Sequence, residues 1–161
     1  IPVDPHYLSW KLRALNYTAR FIELADQVNS HMPDYAVDKI AGGLNQNQKA
    51  IKGSKILILG VTYKPDVNDV RESPAFDIIH LLLVRGALIA YHDPFVDEIS
   101  IDDQNFNSVD LTADLLHEMD CVVVVTDHSD YDWPWIGRHA DLLVDTRNAL
   151  KNAAAPGIIK I

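Results

Sequence analysis

The sequence is short of basic residues, of cysteine, of glycine and of long apolar runs, and each shortage excludes something. Fourteen Lys and Arg stand against 23 Asp and Glu in 161 residues, a formal charge of −9 with a pI near 5.0. Counterion release from nucleic-acid phosphates needs clustered cations; none occurs, so nucleic acid is not expected as a partner. No apolar run approaches the roughly 20 residues that span a bilayer, and the start has no basic stretch followed by an apolar one. No membrane partner and a cytoplasmic location are therefore expected. The single cysteine, Cys121, cannot close an internal disulfide. Set in Met119-Asp120-Cys121-Val122-Val123-Val124-Val125, it reads as a packed thiol of a buried strand. With seven glycines, none arranged as G-x-G-x-x-G, the standard dinucleotide fingerprint is absent. Thr126–Asp132 lacks the glycine and terminal glutamate of a calcium loop, and no second histidine lies at metal-ligand spacing, so no metal is expected.

What is present is ordinary globular usage, 48% hydrophobic and 23% charged, enough for one compact core plus an appendage. The chain opens on Ile1-Pro2-Val3-Asp4-Pro5, without Met, and reads as a piece of a longer protein. From Tyr7 to Leu44, Leu8, Leu12, Leu15, Phe21, Ile22, Ala25, Val28, Met32, Ile40 and Leu44 recur at helical spacing. A helical arm follows, with a break at Asn16-Tyr17-Thr18 in which Thr18 caps, and with Pro33 kinking or ending a segment. Gly42-Gly43 and the polar run Asn45–Gln48 mark its end, which places a domain boundary near residue 50: an arm at 1–50 and a second domain at 51–161. So much apolar surface on an arm needs a partner, either the rest of the chain or a second copy.

Beyond Lys52 short apolar runs alternate with amphipathic stretches, the grammar of βαβ units. Strands are expected at Lys55–Leu59, Leu88–His92, Cys121–Thr126 and Leu142–Asp145, and helices at Ala75–Val84, Leu111–Glu118 and Trp133–His139. Ser73-Pro74 is a helix start and Gly86 a stop, while Asp93–Asp110 reads as irregular. The strands are apolar at nearly every position, as when both faces are covered. The fold class is α/β: a Rossmann-like open parallel sheet with an N-terminal helical arm.

Ligands of such sheets bind at the carboxyl ends of the strands, where strand-to-helix loops converge. Those ends are Gly60–Asp66, Asp93-Pro94, Thr126-Asp127-His128 and Asp145–Asn148. The first loop carries Lys64 and Arg71 among Asp66, Asp69 and Glu72. Lys64 and Arg71 could hold a phosphate, with Arg147 joining from another strand end; equally, the cations could pair with their acidic neighbours and stabilise the loop. His6, His80, His92 and His117 are scattered and read as surface or packing residues, and Trp133-Pro134-Trp135 as an apolar lid on the sheet.

Two segments go beyond generic pattern. Gly60-Val61-Thr62-Tyr63-Lys64-Pro65-Asp66-Val67-Asn68-Asp69-Val70-Arg71-Glu72-Ser73-Pro74 and Ile1-Pro2-Val3-Asp4-Pro5-His6-Tyr7-Leu8, followed by Tyr91-His92-Asp93-Pro94 and Asp145-Thr146-Arg147, resemble the UDP-glucose/GDP-mannose dehydrogenase family. Tyr7-Leu8-Ser9-Trp10-Lys11 and Met32-Pro33-Asp34-Tyr35 look most like the members that oxidise UDP-N-acetylhexosamines. The resemblance implies two Rossmann-like halves joined by a long helix that carries a homodimer interface, the first half binding NAD and the second the UDP-sugar. Only the joining helix and the second half correspond to this chain.

The family's chemistry, as the resemblance implies it, takes a C6 alcohol to an aldehyde by hydride transfer to NAD. A thiolate then captures the aldehyde, a second hydride leaves to give a thioester, and water releases the acid. The catalytic cysteine of the family directly precedes the motif that begins at Ile1, so it is expected to lie outside these residues. By the same resemblance Asp4 is a catalytic carboxylate assisting proton transfer, although a turn or cap role between two prolines also fits. Tyr63 and Lys64 match the loop that touches the nucleotide sugar, Arg71 the arginine that reaches the NAD side, and Arg147 one that holds the UDP-sugar. The implied product acid suits surface-polysaccharide synthesis. The leading expectation is a portion of a nucleotide-sugar 6-dehydrogenase that binds UDP-sugar and dimerises but is inactive alone. The alternatives are a nucleotide-sensing module without catalysis and a purely structural dimerisation domain.

Overall fold

The computed structural model describes residues 3–151 and 157–161. Three helices come first, α1 (Val3–Arg13), α2 (Arg20–Ser30) and α3 (Met32–Gln46). The α/β part follows as β1 (Lys55–Leu59), α4 (Pro74–Val84), β2 (Leu88–His92), β3 (Glu98–Ile101), β4 (Gln104–Asn107), α5 (Ala113–Glu118), β5 (Cys121–Val124), α6 (Trp133–His139), β6 (Leu143–Asp145) and β7 (Ile158–Lys160). Five strands form a parallel sheet in the order β2-β1-β5-β6-β7, and β3 and β4 form a separate antiparallel pair. The expected α/β class and parallel sheet are thus present.

The sheet sits between two apolar layers because its central strands are apolar in both phases. Ile56 and Ile58 of β1 turn to a cluster with Ala36, Val37, Ile40 and Leu44 of α3 and Ile78, Ile79 and Leu82 of α4. Leu57 and Leu59 turn the other way, to Leu116 of α5, Ile136 of α6 and Tyr131. Trp133 and Trp135 pack half-buried on that second layer, as a lid over the sheet should. Caps fix the helix starts: Ser73 Oγ accepts from the Ala75 N–H at 3.3 Å with Pro74 in the first turn, Thr112 Oγ1 from Leu115 and Asp132 Oδ1 from Trp135.

Several local expectations are corrected. Helix α2 has Ala19 at its N-cap and no side-chain cap bond, so Thr18 does not cap it; the break is made by a turn in which Asn16 takes φ 57°. Pro33 does separate two helices, sitting in the first turn of α3. Gly42-Gly43 does not end the arm, because α3 continues to Gln46. The reason is packing: a Cβ on Gly43 would lie 2.7 Å from Ile159 Cδ1 and 3.0 Å from Leu142 Cδ1, so the glycine lets the helix approach the sheet. The segment 93–110 is not irregular throughout, since it holds the β3–β4 hairpin, closed by Asp102 and Asp103 at φ 50° and 62°. That double left-handed turn suits a two-residue hairpin, with aspartates in place of the usual Asn-Gly. Strand β7 also went unforeseen.

Among the described residues no helix is long and apolar enough to cross a membrane.

Candidate functional site

The chain leaves β1 for β2 on one side and later returns to β5 on the other, so the order of the sheet reverses between β1 and β5. Loops leaving such neighbouring strands diverge and open a crevice, the favoured ligand position in open parallel sheets. Here the two loops are Gly60–Ser73 after β1 and Val125–Asp132 after β5.

Gly60 makes the first turn possible. Its φ is +80°, and a Cβ there would lie 2.5 Å from the Thr126 carbonyl oxygen, so the two loops touch backbone to backbone at their roots. The Thr126 hydroxyl donates to the Thr62 carbonyl at 2.6 Å, and Val125 and Thr126 both donate to the Leu59 carbonyl.

Above this root lies a polar network that sequence reasoning missed. His128 is fully buried, and so is Thr62. Asp93, at the end of β2 and 3% exposed, accepts through Oδ2 from the Val61 N–H at 2.7 Å and from His128 Nε2 at 3.1 Å. Its Oδ1 accepts from the Phe95 N–H at 2.9 Å. Burial alone raises the Asp93 carboxyl, but the hydrogen bonds from His128, Val61 and Phe95 outweigh it and hold the group below the usual carboxylate range. Across the ring, the Asp66 N–H donates to His128 Nδ1 at 3.0 Å, and the Ser129 N–H donates to Asp66 Oδ1 at 2.9 Å. That second bond keeps the Asp66 carboxyl low. Phe95 and Tyr131 flank the imidazole at 5.1 and 5.7 Å between ring centroids. The available signal was that His128 and Asp93 both stand at carboxyl ends of strands flanking β1; the loop reading of 126–132 passed over the histidine.

Tyr63, Lys64 and Arg71 come together on the first loop. The Tyr63 N–H closes onto the Asp69 carbonyl at 2.9 Å, Lys64 Nζ lies 5.3 Å from the Tyr63 ring centroid, and Arg71 clasps the Asp69 carboxylate. Arg71 thus takes the acidic neighbour that the loop-stabilising alternative offered, whereas Lys64 makes no ion pair among the described residues.

Arg147 stands apart from that trio, after β6. Asp145, fully buried, accepts from the backbone N–H groups of Arg147, Ala149 and Leu150 at 2.8–3.1 Å and so shapes the turn that carries it. Arg147 Nε lies 3.5 Å from Asp127 Oδ1 on the β5 loop. It lines a cleft of about 830 Å³ with Glu72 and Pro74 at the start of α4 and with Phe21, Met32 and Pro33 of the arm. Asp4 falls in the first turn of α1, but its side chain lies outside the described residues; its neighbour Pro5 lines the same cleft. No cluster of metal-ligating side chains occurs among the described residues.

Chemically, the first loop offers an exposed ammonium, an exposed guanidinium and a tyrosine above a buried, hydrogen-bonded network, and a second exposed guanidinium, Arg147, lines the separate cleft beside the arm. Such a set suits a ligand that carries negative charge and hydroxyls.

Residues 57–152 match the UDP binding domain of the UDP-glucose/GDP-mannose dehydrogenase family. The UDP-N-acetyl-D-mannosamine dehydrogenase of Methanococcus maripaludis is 34% identical over 131 residues, 81% of this chain and 28% of that protein. The UDP-glucose 6-dehydrogenase of Rickettsia bellii is 32% identical over 141 residues, 83% of this chain and 32% of that one. In structure, the UDP-D-ManNAc dehydrogenase of Pyrococcus horikoshii superposes with a TM-score of 0.78 at 24% identity, covering 99% of this chain and 36% of its own, a likeness of fold. The chain therefore spans about a third of the length of these relatives.

Proposed function

The chain belongs to the UDP-glucose/GDP-mannose dehydrogenase family, and from that premise we propose that it is the nucleotide-sugar-binding portion of an NAD-dependent nucleotide-sugar 6-dehydrogenase. The substrate we infer is a UDP-N-acetylhexosamine, UDP-N-acetylmannosamine or UDP-N-acetylglucosamine, with UDP-glucose as the next choice. The observation that carries this reading is the match over residues 57–152 together with the Tyr63–Arg71 loop at the point where the sheet order reverses.

In this reading Tyr63 and Lys64 meet the sugar end of the ligand and Arg147 helps hold the nucleotide. Asp4, beside the cleft-lining Pro5, assists proton transfer, and Arg71 reaches toward the dinucleotide. Each cationic contact is worth about 1.5–3 kcal/mol. A product acid of this kind would feed assembly of surface polysaccharides in the cytoplasm.

This chain does not offer NAD a cradle of its own. The first loop has no G-x-G-x-x-G, the space beside Gly60 is filled by Thr126, and the start of α4 spends its donor on Ser73 and has Pro74 in its first turn. Nor does it offer the thiol that the second oxidation needs: its single cysteine, Cys121, is fully buried and burial pushes its thiol up to about 12. These two features support a chain that is inactive alone and completed by a further domain. The arm supports a homodimer, since Tyr7 and Trp10 of α1 and Phe21 of α2 are 64%, 64% and 89% exposed.

The test is NADH formation by the full-length protein with UDP-N-acetylmannosamine, UDP-N-acetylglucosamine, UDP-glucose and GDP-mannose, counting NADH per sugar consumed. Two per sugar with one preferred substrate is the expected result. No turnover with any, while a UDP-sugar still binds, overturns the dehydrogenase in favour of a nucleotide sensor. Light scattering gives the arm its own test, with a monomer at high concentration as the outcome that counts against dimerisation.

A further inference from the structure

One imidazole holds both ends of the short arc that carries Tyr63 and Lys64. At the near end, His128 Nε2 lies 3.2 Å from Thr62 Oγ1; at the far end, its Nδ1 accepts from the Asp66 N–H at 3.0 Å. The backbone donor at Asp66 can bond only to a nitrogen without a proton, so Nδ1 is bare and the ring proton sits on Nε2. The Thr62 hydroxyl already donates to the Lys64 carbonyl at 3.0 Å, so toward His128 its oxygen is the acceptor. The Nε2–H therefore faces two acceptors, Thr62 Oγ1 and the Asp93 carboxylate, and among the described residues no buried side-chain nitrogen or oxygen lacks a partner.

The arc is pinned further by its own backbone. The Thr62 carbonyl accepts from Thr126 Oγ1 at 2.6 Å and from Ser73 Oγ at 3.3 Å. Asp66 sits at φ 60°, a left-handed conformation that aspartate tolerates and that its bonds to His128 and Ser129 hold in place. Between these two fixed points lie only Tyr63, Lys64 and Pro65, and proline restricts the conformation of Lys64 before it. Lys64 itself is exposed and makes no ion pair among the described residues, so what fixes its backbone is this frame and not its side chain.

We propose that His128 is a positioning residue of the nucleotide-sugar site: buried and out of the ligand's reach, it holds the 62–66 arc across the junction of β1 and β5 so that Lys64 is presented in one place. The inference rests on the reading that Lys64 contacts the nucleotide sugar. It adds to that reading a residue from a different loop, 64 positions further along the chain than Lys64, whose effect on binding is exerted through the arc it holds and chiefly through Lys64. Preorganisation of this kind lowers the ordering cost that a flexible lysine otherwise imposes on binding.

The experiment is a double-mutant cycle in the full-length protein, with dissociation constants for UDP-glucose and UDP-N-acetylmannosamine as readout. His128→Asn keeps an acceptor near the place of Nδ1 and loses the Nε2 contacts; His128→Gln keeps a donor near Nε2 and loses the bond to Asp66. Each is expected to weaken binding of the better ligand by about tenfold in the Lys64 background and by less than about twofold once Lys64 is Ala, the non-additivity of residues in one network. His128→Phe, which fills space and restores neither bond, should be no better than either. Additive losses, or losses that appear only with a broadened thermal transition, overturn the positioning role while leaving the Lys64 reading intact. If Lys64→Ala alone changes neither constant, the Lys64 reading fails, and this inference falls with it. Should the buried substitutions not fold, Asp66→Gly, at an exposed position, keeps the left-handed backbone and the N–H that meets His128 while removing the carboxylate and its lock to Ser129, and carries the same cycle with the same expected non-additivity.

Discussion

Arg71 folds back on Asp69, two residues before it, in a two-pronged ion pair: Nε lies 2.9 Å from Oδ1 and Nη2 2.7 Å from Oδ2. The planar guanidinium fits a carboxylate in this way, and a lysine at the same position could not. The side chain of Arg71 is nevertheless 85% exposed, so the pair is a latch on the loop surface and not a buried strut. An arginine held in this manner is shaped for exchange, since a phosphate offers the same fork as the carboxylate.

The Arg71 hydrogen bonds hold the Asp69 carboxyl down to about 2, from an ordinary value of 3.8. A carboxyl whose native value is depressed contributes stability that is complete above the unfolded value and is lost as pH falls through the native one. The window here runs from about pH 4 down to about 2. Carboxyl NMR titration should place Asp69 well below the other exposed aspartates, and Arg71→Ala should return it to the ordinary range. In the full-length protein the same variant should raise the KM for NAD by about tenfold, the loss of one charge-assisted contact; an unchanged KM would remove Arg71 from the cofactor side.

Asp93 is the anchor most exposed to test by stability. Its carboxylate serves Val61, Phe95 and His128 at once, so Asp93→Ala strands the buried Val61 N–H, frees the part-buried Phe95 N–H and leaves the imidazole proton only the longer contact to Thr62 Oγ1. The expected loss is about 3–5 kcal/mol in urea unfolding, with Asp93→Asn costing less because it keeps the shape and one acceptor. The sign with pH follows from the depressed carboxyl: its contribution is full above about pH 4 and drains away below it. Stability of the wild type should therefore fall more steeply below about pH 4 than that of Asp93→Asn. Parallel curves would show that the network does not carry charge.

Much of this was legible in the sequence, and the part that was not has a physical pattern. The apolar runs at β1, β2 and β5, the Ser73-Pro74 start and the loop with Lys64 and Arg71 are signals local to a few residues, and each lies where expected. The His128–Asp93 contact joins positions 35 apart and exists only because parallel pairing sets β2 and β5 on either side of β1. Glycine misled at 42–43 because the same residue type serves both as a helix stop and as a close-approach point, and only the packing of Ile159 and Leu142 decides between them. The β3–β4 hairpin hid behind an Asp-Asp turn, and β7 is three residues long.

Gly60→Ala should be among the most damaging single changes in the loop region. The φ of +80° is strained for any other residue, and the added methyl would meet the Thr126 carbonyl oxygen and Cα, which are backbone and cannot step aside cheaply. A loss of about 3 kcal/mol or more is expected by chemical denaturation, together with weakened UDP-sugar binding in variants that still fold. Gly53→Ala is the control: its φ of +83° carries the same strain, but nothing lies within 4 Å of the added Cβ. A Gly53 variant as damaging as the Gly60 one would show that strain alone, and not the junction of the two loops, sets the cost.

Cys121 gives the sharpest check on where the chemistry can and cannot be. It begins β5, is fully buried, and its thiol is pushed up to about 12 by burial and, secondarily, by the negative charge of Asp120 next to it. Only a thiolate attacks an aldehyde, so at neutral pH this sulfur stays almost wholly a thiol, inside the apolar cluster it shares with Ile56, Val123 and Leu142. A disulfide exchange reagent should leave native Cys121 untouched at pH 8 and consume one equivalent per chain in denaturant. Cys121→Ser should cost stability, because a hydroxyl in an apolar wall needs a partner, while Cys121→Ala costs only a small cavity. In the full-length protein Cys121→Ala should leave the two-NADH stoichiometry intact; a fall to one NADH with accumulating aldehyde would instead place the nucleophile in this strand.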